Sequence, residues 1–283
     1  MSPFQSGTKP CRIVVFGPYK SGTTGLFYKV RNSLPGPVRT LFEPKAYLLE
    51  KGDTDCWVLA KTILGAGSES EGTDYSGFLE FEKKIYLSRD PRDLVVSGVL
   101  FMVQQEPSLY GNDEKLTRIL HLLRQKETHP QSISLCRLFQ RIVDESDHHS
   151  FPQVMKWLDF QYRWLMEFEN KLDDYCHVKY EDFVDGELER LESYLGFHLP
   201  GEPLVDPVHD HVPRTLAYDN WKNWFLEEDI AFFKPVFEEY IKRYHYSNNW
   251  QGADEQEISP EHCSRYVMRI VNKKRTLPME PDM

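Results

Sequence analysis

An α/β fold, a parallel sheet flanked by helices, follows from two features of the sequence. Short β-branched runs alternate with segments of helical periodicity along much of the chain, the pattern of a parallel sheet covered on both faces. The first of these runs, Arg12-Ile13-Val14-Val15-Phe16, enters Gly17-Pro18-Tyr19-Lys20-Ser21-Gly22-Thr23-Thr24-Gly25 and leaves as the apolar-periodic Leu26-Phe27-Tyr28-Lys29-Val30. That order is strand, glycine-bearing loop and helix, a P-loop-like arrangement. Its backbone N–H groups and helix dipole form a ready anion site.

Strands are expected at Arg12–Phe16, Val38–Phe42, Trp57–Lys61, Lys84–Ser88 and His177–Lys179, where β-branched and aromatic residues cluster. Helices are expected at Thr23–Ser33, Leu94–Gln104, Gln153–Lys171 and Glu187–Tyr194. In the last of these, Leu188, Leu191 and Leu195 share a face and Gly196 supplies a C-terminal stop. Glu106 to Ser150 has no strand signal and reads as helices and loops at the rim of a site. From Ser247 onward the chain is polar. Pro260–Val271 reads as helical and the last residues, past Pro278 and Pro281, as disordered.

At 283 residues the chain can bury about 75% of its unfolded surface without covalent staples. Its net charge of −10 argues against a general nucleic-acid binder, so any anion site must be a local concentration of positive charge. The five cysteines are scattered without metal-ligand spacing. Three of them lie beside predicted elements and are expected to be buried, which suits a reducing compartment. Met1 to Pro10 is polar, and no run approaches the roughly 18 apolar residues of a membrane span. The expected setting is cytoplasmic, although a chain trimmed of an anchor would read the same.

The opening loop nearly fits G-x-x-x-x-G-K-[ST]. Gly17 and Gly22 have the required spacing, but Thr23 stands where the lysine belongs and Lys20 precedes Gly22 by two residues. A second anion site is expected where Ile85-Tyr86-Leu87-Ser88-Arg89 runs into Asp90-Pro91-Arg92-Asp93. Pro91 and Asp93 suit a first helical turn. Arg89 ends the strand, Arg92 lies in that turn, and Ser97 follows Arg89 by eight residues. Arginine grips a phosphate through parallel N–H bonds, to which a serine hydroxyl adds another. The competing reading of Arg-Asp-Pro-Arg-Asp is a salt-bridged helix cap. Two phosphate sites at one sheet edge imply a ligand phosphorylated at two places.

These residues resemble the sulfotransferases that use 3′-phosphoadenosine-5′-phosphosulfate (PAPS). Tyr19-Lys20-Ser21-Gly22-Thr23-Thr24 is similar to the family's P-K-S-G-T-T loop for the 5′-phosphosulfate, with Tyr19 in place of proline. Arg89 and Ser97 match its 3′-phosphate pair in type and spacing. Lys179-Tyr180-Glu181-Asp182-Phe183 resembles its Y-E-D motif, whose tyrosine lies near the adenine. Arg214, with Trp221-Lys222-Asn223 seven residues later, resembles the R-K-G-…-G-D-W-K segment that closes over the 3′-phosphate, with Thr215 and Leu216 replacing Lys-Gly. The resemblance covers residues 11 to 225. It implies a single domain over 1–283, with a donor-binding core at 10–105, a helical and loop insertion near the acceptor site at 106–150, and a polar C-terminal tail at 247–283.

It further implies transfer of a sulfuryl group to an acceptor hydroxyl on a small-molecule alcohol or sugar, with adenosine 3′,5′-bisphosphate (PAP) as product and no metal. Charge develops on the leaving oxygen, so positioning and cations carry the catalysis. Lys20 would neutralise the leaving bisphosphate, and Thr23 and Thr24 would bind the 5′-phosphate. Family members that supply a histidine base do so from K-T-H; the matching Lys61-Thr62-Ile63 lacks it. Glu43, in Phe42-Glu43-Pro44, resembles the F-E-P segment of carbohydrate sulfotransferases and is the expected base. Its alternative reading is a structural glutamate pairing Lys45 or Arg39. Lys61 either lines the donor sulfate or is a strand-end lysine, and His209 or His211 is an alternate base.

Other residues have plainer readings. His148-His149 and His209-x-His211 read as surface loops, since neither pair has a nearby carboxylate and cysteine set that would make a metal site. Trp157 to Trp164 has helical spacing and reads as core, or as an aromatic acceptor wall. The competing functions are a P-loop kinase or NTPase using ATP and Mg²⁺, disfavoured by Thr23 and the lack of a Walker-B aspartate, and a non-catalytic nucleotide-binding protein.

Overall fold

The computed structural model describes residues 9–65, 72–207, 209 and 213–276. They form two compact units, one made of residues up to 89 with 160–206 and the other of 90–159 with those from 207 onward.

The first unit carries a sheet of five parallel strands: β1 (Arg12–Pro18), β2 (Val38–Phe42), β3 (Trp57–Leu64), β4 (Lys83–Ser88) and β5 (Tyr175–Lys179). Their order is β2-β3-β1-β4-β5. This is the α/β class the sequence predicts. β1, β3 and β4 are buried along nearly their whole length, as a sheet covered on both faces requires. The edge strands β2 and β5 are only partly buried. From β1 the chain crosses to the edge strand β2 and returns to β3 beside β1, then moves to the other side through β4 and β5. The switch point therefore lies between β1 and β4, where ligands bind beyond the carboxyl ends of the strands. The loop after β1 and Arg89 after β4 both sit there.

α1 (Thr23–Arg31) follows the loop, and α2 (Ser76–Leu79) precedes β4. α1 stops short of the predicted Ser33, because Ser33 turns back to bond Lys29 O through its hydroxyl at 2.8 Å and Val30 O through its amide at 3.0 Å.

The second unit is helical: α3 (Pro91–Gln105), α4 (Pro107–Tyr110), α5 (Asp113–Thr128), α6 (Leu135–Asp144) and the start of α7 (Phe151–Glu169). α3 is buried on nearly every side, the mark of a central helix. The 106–150 stretch is helices and loops, as its composition predicts. The second half of α7, α8 (Tyr180–Asp185) and α9 (Glu189–Leu195) return to the first unit. Gly196 ends α9 at φ 81°, the left-handed stop expected there. The second unit then adds α10 (Glu227–Arg243) and α11 (Ser264–Thr276). The predicted tail helix Pro260–Val271 opens as a 3₁₀ turn at Pro260–His262 and continues as α11, which begins at Ser264 and runs on to Thr276. The expected disorder at the C-terminus and the polar segment at the N-terminus fall largely outside the described residues.

Cys136, Cys176 and Cys263 are buried, Cys11 and Cys56 are partly exposed, and all five are free thiols. Among the described residues no helix is long and apolar enough to cross a membrane.

Candidate active site

The loop after β1 owes its shape to two left-handed residues, Lys20 at φ 65° and Gly22 at φ 93°. Ser21 between them is fully buried and bonds Pro18 O through both its amide, at 3.2 Å, and its hydroxyl, at 2.7 Å. Its proton is thus committed inside the loop. Gly17 has no room for a side chain: a Cβ there would lie 2.6 Å from Thr23 Cγ2 and 2.9 Å from Leu87 O. α1 begins at Thr23 with Gly22 as its cap, no side chain bonding the first turn and no acidic residue in it. Its leading N–H groups and positive dipole end face the loop, the arrangement that favours an anion.

Four of the expected residues, Lys20, Gly22, Arg89 and Tyr180, meet at this point. Arg89 donates from Nη1 to Lys20 O at 3.0 Å, and its guanidinium lies 4.1 Å from the Tyr180 ring centroid. Tyr180, the first residue of α8, packs on Gly22 so closely that a Cβ there would come within 2.4 Å of the ring. Loop, tyrosine and arginine form one stack, and Arg89 and Tyr180 are both buried within it. Sequence reading missed the pair just before Arg89, in which Ser88 Oγ and His177 Nε2 are 2.8 Å apart. A lone histidine on a strand gives no local signal of such a partner.

Glu43 and Lys61 also come together. The register pairs Phe42 with Lys61, and Glu43 N donates to Lys61 O at 2.9 Å. Glu43 itself is left-handed, at φ 52°. Its carboxylate pairs with the Lys61 ammonium, which lies 4.2 Å from the Phe42 ring centroid. The glutamate's partner is thus neither Lys45 nor Arg39; Arg39 is taken by Asp53 and Glu50. Burial pushes the Lys61 ammonium below the usual lysine range, and the Glu43 charge pulls it partly back.

The remaining expected residues lie in the second unit. Ser97 is buried in α3, and Arg214 donates to His262 O at 3.3 Å. Trp221 is buried, with the Arg92 guanidinium 4.1 Å from its ring centroid. Arg92 is engaged within the protein. It is held by the Asp90 carboxylate at 2.6 Å, by Ser247 O and by Asn249 O, while Asp90 caps α3 through Arg92 N. This is the salt-bridged cap, favoured because a buried guanidinium needs acceptors for its many donors.

His148 and His149 do have a carboxylate: Glu106 lies 2.7 Å from His148 Nδ1 and 3.6 Å from His149 Nε2. Among the described residues no group of three or more such side chains is arranged to hold a metal ion. His209 is half-buried, and His211 lies outside the described residues. The aromatic run of α7 divides. Tyr162 is buried and Trp164 stacks on the buried Phe168, whereas Trp157 and Phe160 are exposed.

No family model matches the chain, and no curated protein matches it by sequence. Among solved structures it is similar to the mouse sulfotransferase SULT7A1 complexed with PAP, at 16% identity over 83% of this chain and 89% of that one, with a TM-score of 0.46. It is also similar to retinol dehydratase with retinol and PAP, at 13% identity over 84% and 83% of the two chains and a TM-score of 0.41. The same dehydratase with androsterone and inactive cofactor PAP matches at 14% identity, the same coverage and a TM-score of 0.41.

Proposed function

We propose that this chain is a sulfotransferase that moves a sulfuryl group from PAPS to the hydroxyl of a small-molecule alcohol or sugar. The observation that carries the reading is the stack of Lys20, Gly22, Tyr180 and Arg89 at the switch point of the sheet. A nucleotide loop of the ATP-binding type needs its lysine directly after the last loop glycine. In this chain that position is Thr23, and Lys20 occupies the left-handed turn before Gly22.

In this reading Thr23, Thr24 and the first N–H groups of α1 bind the 5′-phosphate, with Tyr19, Ser21 and Gly22 shaping the loop around it. Arg89 binds the 3′-phosphate, and Tyr180 flanks the adenine. Ser97, Arg214 and Trp221 are assigned to the donor on their motifs. A bond forms between the acceptor oxygen and sulfur as the bond from sulfur to the 5′-phosphate oxygen breaks. The acceptor proton passes to Glu43, and Lys20 neutralises the charge left on the bisphosphate. Lys61 holds Glu43 at the sheet edge. Loss of one such cation costs on the order of a hundredfold in rate. The free thiols support a reducing, cytoplasmic setting.

Calorimetric titration separates this from an ATP-dependent function. PAP is expected to bind without Mg²⁺ and far more tightly than ATP. Mg²⁺-dependent ATP binding without PAP binding would overturn the reading. Glu43→Gln is expected to abolish turnover while PAP affinity is retained, and an active variant would remove Glu43 from its role. Arg214→Ala and Ser97→Ala should each weaken PAP more than adenosine 5′-monophosphate.

A further inference from the structure

We propose that Asp93 is a positioning residue for donor binding: it fixes the segment that carries Arg214 to the helix that carries Ser97. The inference rests on the sulfotransferase reading.

Asp93 is the third residue of α3 and its side chain is fully buried. An acidic residue at that position commonly reaches back to the amide of the helix cap. One Asp93 oxygen accepts from Asp219 N at 2.6 Å and the other from Trp221 N at 2.9 Å. Burying a carboxylate is costly unless its lone pairs are met, and these two amides, with the positive end of α3, meet them. Both amides come from a segment more than a hundred residues along the chain.

That segment is under backbone strain. Leu216 at φ 51° and Asp219 at φ 63° are both left-handed without being glycine. Such conformations persist only where surroundings over-determine them. Asp93 supplies part of that constraint at Asp219. Arg92, anchored by Asp90 and by the carbonyls of Ser247 and Asn249, supplies more by covering the Trp221 indole. Residues 219–221 are thus pinned to the first turn of α3 along two edges.

The consequence concerns Ser97 and Arg214. Ser97 follows Asp93 by four residues, so the two share a face of α3 one turn apart. Arg214 lies five residues before Asp219. The Asp93 carboxylate therefore sets where the Arg214 segment departs relative to the serine hydroxyl. An acidic residue is an unwelcome neighbour for a phosphate. Here its charge is engaged by backbone amides, so it can act through position without repelling the ligand.

The test is the Asp93→Asn variant of the full chain. Asparagine keeps one acceptor but turns an amide N–H₂ toward a backbone N–H. PAP affinity is expected to fall about tenfold or more, the scale of a lost hydrogen bond to a charged group. Affinity for adenosine 5′-monophosphate, which lacks the 3′-phosphate, should not change. Donor KM should rise in step while kcat at saturating donor holds. Unchanged PAP affinity, or equal weakening of both nucleotides, would overturn the proposal. If Asp93→Asn does not fold, Asp93→Glu, which keeps the charge and displaces it by one methylene, should show the same selective loss; a Glu variant that binds PAP normally would overturn it. A wild-type chain with no preference for PAP over the monophosphate would instead sink the sulfotransferase reading itself.

Discussion

The Glu43 carboxylate pairs with the Lys61 ammonium across the β2–β3 edge, and the two differ sharply in exposure: the lysine side chain is 2% exposed and the glutamate 45%. The acidic partner is open to solvent, whereas the basic one is sealed beneath it. A buried ammonium is disfavoured by desolvation, and here the opposing Coulombic contribution comes from Glu43.

Removing the Glu43 charge should therefore destabilise the fold in a pH-dependent way. Lys61 binds its proton less tightly in the folded chain than its ordinary 10.5 allows. The unfolded chain thus holds more protons below that value, and stability rises with pH through this window. Glu43→Gln pushes the lysine further down and extends the window toward lower pH. At neutral pH the variant should be less stable by about 1–3 kcal/mol, and the deficit should shrink as the pH is raised through the lysine titration. Urea unfolding of both chains at several pH values measures this. A deficit independent of pH would show that the ion pair does not set it.

The glycine of the loop after β1 makes a sharp prediction. Gly22→Ala places a methyl group 2.4 Å from the Tyr180 ring and forces an alanine to φ 93°. Strain of this kind costs about 1–3 kcal/mol, and the clash must also displace Tyr180 from Arg89. PAP affinity should fall steeply. Gly196→Ala is the control: it has φ 81° but open space around it, so it should cost about 1 kcal/mol of stability and leave PAP binding intact. Equal effects on binding from the two variants would remove Tyr180 from the donor site.

Lys126 tests buried charge in the second unit. It is fully buried and donates to Pro130 O at 2.5 Å and to Trp224 O at 2.8 Å. Desolvation lowers its pKa from 10.5 to about 8, against a raising contribution from Asp229. Below about 8 both states of the chain carry the charge, and folding bears the full penalty of burying it. Between about 8 and 10.5 the folded chain releases the proton first, so stability rises with pH. Lys126→Met removes this titration. The unfolding free energy of wild type minus that of the variant should increase over that interval. A flat or falling difference would contradict the assignment.

Local sequence carried the strands and the loop because each depends on neighbours a few positions away. Short apolar runs with β-branched or aromatic residues marked the strands, and glycine spacing marked the turn after β1. What escaped was pairing at long range. Nothing near Glu43 announces that the β2–β3 register sets it against Lys61. Arg92 reads from sequence as an anion grip or as a salt-bridged cap, and the carbonyls that hold it belong to Ser247 and Asn249. His177 and Ser88 meet only because β5 lies beside β4. α8 was hidden inside its own motif, since Tyr180-Glu181-Asp182 was read for ligand contact rather than as a helix start. α10 was hidden by Pro235.

That proline gives the last prediction. α10 runs for 17 residues from Glu227 to Arg243 with Pro235 in its interior. An interior proline removes one N–H from the helix ladder and crowds the carbonyl four residues earlier. The position is exposed, so the ring contributes little burial in return. The helix persists because Phe233, Phe237, Tyr240 and Ile241 are buried along its other face, and tertiary packing rather than propensity stabilises most helices. Pro235→Ala restores the missing donor without disturbing those contacts. It should raise stability by about 1–3 kcal/mol and leave PAP affinity and turnover unchanged. A loss of stability in chemical unfolding would mean that packing of the buried aromatic face depends on the proline.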